Sequence, residues 1–177
     1  FTRTMGDVFA GTNDRTLTVH GNVSVTSTDE FGLSTPRTNL ILSGTSTQTV
    51  TFETTASSTL SINKSGGKVI LAAAYTSVAG SVSSTCTVAS GTLDLAGFNF
   101  TCGGALAVQN GGTLMLRGSE TVTSSASLAF DTGSTVVYTG DGDAGADTYT
   151  LTTVTSTYHH VNVSSTDGTT DTFKLNA

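Results

Sequence analysis

Apolar residues alternate with small polar ones along this chain in short bursts that end near a glycine. The clearest pair is Gly91-Thr92-Leu93-Asp94-Leu95-Ala96-Gly97 and Gly112-Thr113-Leu114-Met115-Leu116-Arg117-Gly118, set 21 residues apart. Alternation over a few residues is the period of a half-buried strand, and the glycine marks a corner. The same phrase recurs with its first apolar residue at Leu17, Leu40, Val69, Leu93, Leu114, Val136 and Phe173, in steps of 23, 29, 24, 21, 22 and 37 residues. A fixed period of this size signals one repeating structural unit.

Two further alternating segments lie between successive copies. Phe98/Phe100 and Leu106/Val108 follow Leu93/Leu95, while Val23/Val25 and Phe31/Leu33 follow Leu17/Val19. The pattern predicts an all-β parallel β-helix (β-solenoid) with three short strands per coil and about six to seven coils of 21–24 residues. One coil cannot bury its own inward side chains, but stacked coils bring like residues into ladders about 4.8 Å apart. The opening phrase is assigned to the first column, Val50/Phe52 and Tyr149/Leu151 to the second, and Leu60/Ile62, Cys86/Val88 and Val161/Val163 to the third. An antiparallel sandwich also has short strands at regular spacing, and the in-phase copies favour the solenoid over it. Residues 1–15 lack the repeat and read as an N-terminal arm. Residues 16–177 read as a single solenoid domain, with insertions near 45–58 and 141–157 where the steps lengthen. Residues 39–62 and 135–163 echo one another, hinting at a superrepeat of roughly 100 residues and a longer natural array.

Composition agrees with the pattern. Thr and Ser number 37 and 22 among 177 residues, beside 20 Gly and one Pro, so strand and turn formers dominate while helix formers are scarce. Seven Lys and Arg against a net charge of −6 give no basic footprint for nucleic acid or an anionic membrane. No run reaches the length of a membrane-spanning helix. The Thr/Ser/Gly-rich, Lys-poor character points to an extracellular or cell-surface setting, where two cysteines are compatible with one disulfide.

The run Leu60-Ser61-Ile62-Asn63-Lys64-Ser65-Gly66-Gly67-Lys68-Val69-Ile70-Leu71, with Gly91-Thr92-Leu93-Asp94-Leu95-Ala96-Gly97-Phe98, resembles the repeats of large secreted bacterial surface proteins. Adhesins and autotransporter passengers share this β-helical build. The resemblance spans roughly residues 40–177 and implies an extracellular structural or adhesive role. It transfers no catalytic residue.

Candidate chemistry lies in the departures from the repeat. Cys86 and Cys102 both have inward parity, which allows a disulfide between adjacent coils or two buried free thiols. Asp141, Asp143 and Asp147, separated by glycine and alanine, could wrap a hard cation such as Ca²⁺, although the distal Glu of an EF-hand loop is missing; the alternative is a solvated acidic loop. His159 and His160 point to opposite faces, with His159 expected inward as a packed imidazole. Ile41, Ile70, Met115 and Val137 are expected to face outward as a partial apolar stripe that another segment or subunit covers.

Several activities find little support. An ice-binding face needs two regular Thr ranks, but the rank Thr18, Ile41, Ile70, Asp94, Met115, Val137 and Lys174 is mixed and charged. Polysaccharide-degrading β-helices need acids grouped on one face, whereas Asp94, Glu120 and Asp131 are scattered, so no enzyme is expected. Four Asn-x-Ser/Thr triplets, at Asn22, Asn63, Asn99 and Asn162, are ordinary in so Thr/Ser-rich a chain. The expected role is a structural or adhesive segment of an extracellular filament, stalk or adhesin that self-associates head to tail into a homo-oligomer. The alternative is a carbohydrate-binding module that meets surface glycans through Asn99, Thr121 and Thr150.

Overall fold

The computed structural model describes residues 2–3, 15–25, 38–53, 59–77, 84–143, 145–151, 157–165 and 171–175. These contain seventeen short strands and no helix, wound as a β-solenoid of about six turns. Every strand pairing is parallel, which only a winding chain of this length can supply without crossover helices.

Three walls carry the ladders. On the first wall the core positions are Leu17, Leu40, Leu60, Cys86, Leu106 and Leu128, each directly opposite the next, with rung steps of 23, 20, 26, 20 and 22 residues. On the second wall Gln48, Val69, Leu93, Leu114, Val136 and Val161 line up, at steps of 21, 24, 21, 22 and 25. The third wall stacks Tyr75, Phe100 and Val122, and nearer the C-terminus Tyr149 pairs with Phe173. The strands Thr59–Leu71 and Cys86–Asp94 each run from the first wall into the second, so the two walls form one twelve-stranded sheet.

The register corrects the column assignment. The copies of the phrase at Leu17 and Leu40 belong to the first wall, those at Val69, Leu93, Leu114 and Val136 to the second, and that at Phe173 pairs with Tyr149. Val161 and Val163, expected in the third column, sit opposite Val136 and Tyr138 on the second wall. The same short phrase suits any wall that ends in a glycine corner, so its spacing mixes turns of the solenoid with changes of wall. The steps of 29 and 37 residues contain such changes. Leu40 pairs directly with Leu60, and Val136 with Val161, so each of the two echoing stretches is one turn. The two segments read as insertions carry strands of their own, Gln48–Phe52 and Thr148–Leu151. In the N-terminal arm, Thr2–Arg3 pairs with Ser24 and Val25; its residues 4–14 lie outside the described residues.

Inward positions are closed to water. Leu42, Val69, Leu95, Phe100, Val108, Leu114 and Val136 are all fully buried. Each such side chain stabilises the fold by about 1.5–3 kcal/mol relative to exposure. Aromatics continue the ladder at one corner, where Tyr75 stacks on Phe100 at 4.8 Å and meets Phe52 edge-on at 5.5 Å. Packing between rungs is close enough to exclude a methyl group at Gly112, whose Cβ would collide with the carbonyl oxygen of Val88.

Candidate functional site

The two cysteines form the Cys86–Cys102 disulfide, with Cα atoms 6.1 Å apart and both residues buried. Cys86 opens a first-wall rung and Cys102 closes the third-wall strand Phe100–Cys102, just before the chain returns to the first wall at Leu106. The bridge therefore closes almost one complete turn. Such a bond persists in oxidising compartments.

Asp141, Asp143 and Asp147 converge, each offering a carboxylate oxygen within 4.8 Å of the others. Their hard oxygens match the preference of Ca²⁺, and they would supply three of its six to eight ligands. The loop is also braced by its own backbone: the Asp143 amide donates to Asp141 Oδ1 at 3.2 Å, and the Asp147 amide donates to Asp171 Oδ1 at 3.1 Å. The Asp141 amide donates to the hydroxyl of Tyr149 at 3.0 Å. Burial pushes that phenol up to about 12.

The four residues expected to form an apolar stripe do not share one ladder. Ile41 lies on the first wall between Thr18 and Ser61. Ile70, Met115 and Val137 lie on the second, in a ladder that reads Ile70, Asp94, Met115, Val137, Asn162. All four are half-buried, and Asp94 interrupts the row. His159 is exposed where a packed imidazole was expected, and its Nδ1 accepts the Gly133 amide at 3.0 Å. His160 is exposed beside it, with ring centroids 4.3 Å apart. Phe98 is likewise exposed, because the third-wall strand begins only at Phe100. Of the expected carbohydrate face, Asn99 Oδ1 accepts the Thr121 amide at 2.8 Å, while Thr150 lies on the separate strand Thr148–Leu151.

A different arrangement emerges where the second wall ends. Asp94, at the end of its strand, takes Lys68 Nζ on Oδ2 at 2.6 Å and the Ala96 amide on Oδ1 at 2.9 Å. Those bonds hold a tight turn, closed by the Phe98 amide donating to the Leu95 carbonyl at 2.8 Å. Both central residues have positive φ, 52° at Ala96 and 90° at Gly97. One coil on, the buried carboxylate of Glu120 gathers three backbone amides: Gly97 and Arg117 on Oε1 at 2.9 and 2.8 Å, and Gly118 on Oε2 at 2.8 Å. Both carboxylate oxygens thus act as acceptors for the backbone of this corner.

Arg117 stands outward at this corner and lays its side chain over Gly97. A Cβ there would come within 3.2 Å of a guanidinium nitrogen and 3.4 Å of Arg117 Cδ. Beside it opens a groove of about 310 Å³, lined by Lys68, Asp94, Ala96, Met115, Thr139, Gly140 and Asp141 as well as Arg117. Lys68–Asp94 is the only ion pair among the described residues.

A second buried charge has a plainer role. Lys64 is buried at the corner between the first two walls, where Nζ donates to Ser46 O at 2.6 Å, Gln48 Oε1 at 2.8 Å and Ser43 O at 3.3 Å. Gln48 in turn donates to Gly21 O and Val19 O, so one polar chain ties together three successive coils. Desolvation holds the Lys64 ammonium below its ordinary value.

Sequence reasoning left Asp94 and Glu120, with Asp131, as scattered acids and gave Arg117 no role. The usable signal was positional: Arg117 and Glu120 flank Gly118-Ser119, and Asp94 precedes Ala96-Gly97 at the matching corner one coil earlier. Compared with known proteins, the chain matches no family model, no curated protein and no solved structure.

Proposed function

We propose that this chain is a structural segment of an extracellular surface protein, a β-solenoid rod that extends by stacking further rungs on its open end. One observation carries the reading. Val161 and Val163 stand opposite the core residues Val136 and Tyr138, yet they remain 49% and 46% exposed. Core positions on the last described rung of the second wall thus lie open, beside an edge of the strand His160–Val163 that no other described strand pairs. Such an edge is a template for another parallel strand. The buried disulfide supports an oxidising compartment.

The occupant proposed is a second copy of the chain, joined head to tail. Residues 131–177 contain six Asp against one Lys, so tail-to-tail pairing would set acidic ends against each other. The test is light scattering over a wide concentration range, with negative-stain imaging, on the wild type and on Val161→Lys/Val163→Lys. Rods longer than one chain that shorten in the double variant are expected. A wild type that stays monomeric at every concentration overturns the assembly.

A further inference from the structure

We infer that the groove beside Arg117 is a binding site for a carboxylate-bearing sugar, a hexuronate unit of an acidic glycan. The site does not depend on end-to-end assembly, since it lies on the outer surface of the second wall and needs no second copy.

Arg117 makes no side-chain hydrogen bond or ion pair with any described residue. The acids around it, Asp94, Glu120 and Asp141, each already hold partners of their own. Asp94 divides its two oxygens between Lys68 and the Ala96 amide. Glu120 turns inward to accept three backbone amides, one of them that of Arg117 itself. The corner is therefore built with a carboxylate that fixes the Arg117 backbone and leaves its guanidinium to the groove. Gly97 completes the arrangement, because any side chain there would press on the guanidinium. A planar guanidinium fork left without a described partner beside a groove is a receptor for a carboxylate, which it can grip through two parallel N–H bonds.

The rest of the lining decides what carries that carboxylate. Met115 and Ala96 give a small apolar floor, against which the C–H face of a sugar ring can rest. The carboxylate of Asp141 also lines the groove; it bonds the Asp143 amide and the Tyr149 hydroxyl, and a carboxylate with about four lone-pair sites retains acceptor capacity for ring hydroxyls. A simple inorganic anion would use Arg117 and be repelled by Asp141. A hydroxylated ring with one carboxylate uses both. The volume sits at the small end of ligand clefts, the size of a short glycan stretch rather than a large aromatic ligand.

The test is NMR titration of the ¹⁵N-labelled chain with D-glucuronate, with D-glucose and sodium sulfate as separate arms. Glucuronate should shift the amides of Ala96, Gly97, Arg117 and Gly140 in a saturable way, weaken as salt rises, and outbind both controls by at least about tenfold. Met115→Glu places an acid beside the guanidinium at a half-buried outward position, so it should abolish the shifts while keeping the fold. Arg117→Lys should weaken binding by about tenfold through loss of the two-point grip. The inference is overturned if glucuronate gives no saturable shift at millimolar concentration, if sulfate binds as well as glucuronate, or if Met115→Glu binds like the wild type.

Discussion

Glu120 offers the sharpest test of how this corner is held. Its carboxylate is 1% exposed and accepts two amides on one oxygen and a third on the other. Glu120→Gln preserves the shape but removes the charge and converts one oxygen into an NH₂ group. The two bonds to the remaining oxygen weaken from charge-assisted to neutral, a loss of about 1 kcal/mol each. In the amide orientation that keeps oxygen on Gly97 and Arg117, the Gly118 amide then faces a donor, and an unsatisfied buried donor costs about 1–3 kcal/mol. The total is roughly 3–5 kcal/mol by those figures. For a chain of 177 residues, each kcal/mol moves the melting temperature by about 2–4 °C. Thermal unfolding followed by circular dichroism should therefore show a drop of roughly 6–20 °C. Hydrogen exchange should quicken first at Gly97, Arg117 and Gly118. A Glu120→Gln protein that melts within about 2 °C of the wild type, with those amides still protected, would refute the idea that the carboxylate holds the corner.

The remaining predictions concern the covalent bridge and the buried phenols. Closing a loop with a sequence separation of 16 should contribute about 3 kcal/mol, so Cys86→Ala/Cys102→Ala should melt roughly 6–12 °C lower, and an unchanged melting temperature would count against the bridge as a stabilising element. Burial raises the phenols of Tyr75 and Tyr138 and takes Tyr149 up to about 12. The fold therefore keeps protons that the unfolded chain releases above pH of about 10. Stability from this source should be complete below that pH and fall as pH rises toward 12, with tyrosinate absorbance appearing together with loss of the strand signal; ionisation of all the tyrosines without unfolding would contradict it.

Much of the fold was legible because the solenoid imposes one rule at every rung. Inward parity at Leu93/Leu95, Leu114/Leu116 and Val136/Tyr138 can be read directly, and the pairing of those positions follows from their spacing. Parity of Cys86 and Cys102 was enough to bring their side chains into one interior. What spacing could not assign is the wall, since Leu40 and Val69 sit in phrases of the same form on different sides of the coil. Burial at Val161 and Val163 was equally hidden, because it depends on whether another rung lies above them. The corner was illegible for a third reason. Glu120 bonds to backbone amides, which every sequence possesses, so nothing in residue type marks its partners.

These two kinds of constraint separate structure from specificity. Inward positions answer to the rungs above and below: Leu114 must fit both Leu93 and Val136, and a change there is felt in three coils. Outward positions answer to much less, which is why Ile70, Asp94, Met115 and Val137 can follow one another in a single ladder. A recognition surface can therefore be written onto the wall without disturbing the core, but a wall of freely moving side chains recognises nothing with precision. The Arg117 corner meets both conditions. Its guanidinium faces the groove, while its backbone amide is held from within by Glu120, an inward carboxylate set among the rungs. Rigid placement from the inside and chemical freedom on the outside meet at one residue, and that makes this corner, rather than the apolar row along the wall, the place where the solenoid is equipped to choose a ligand.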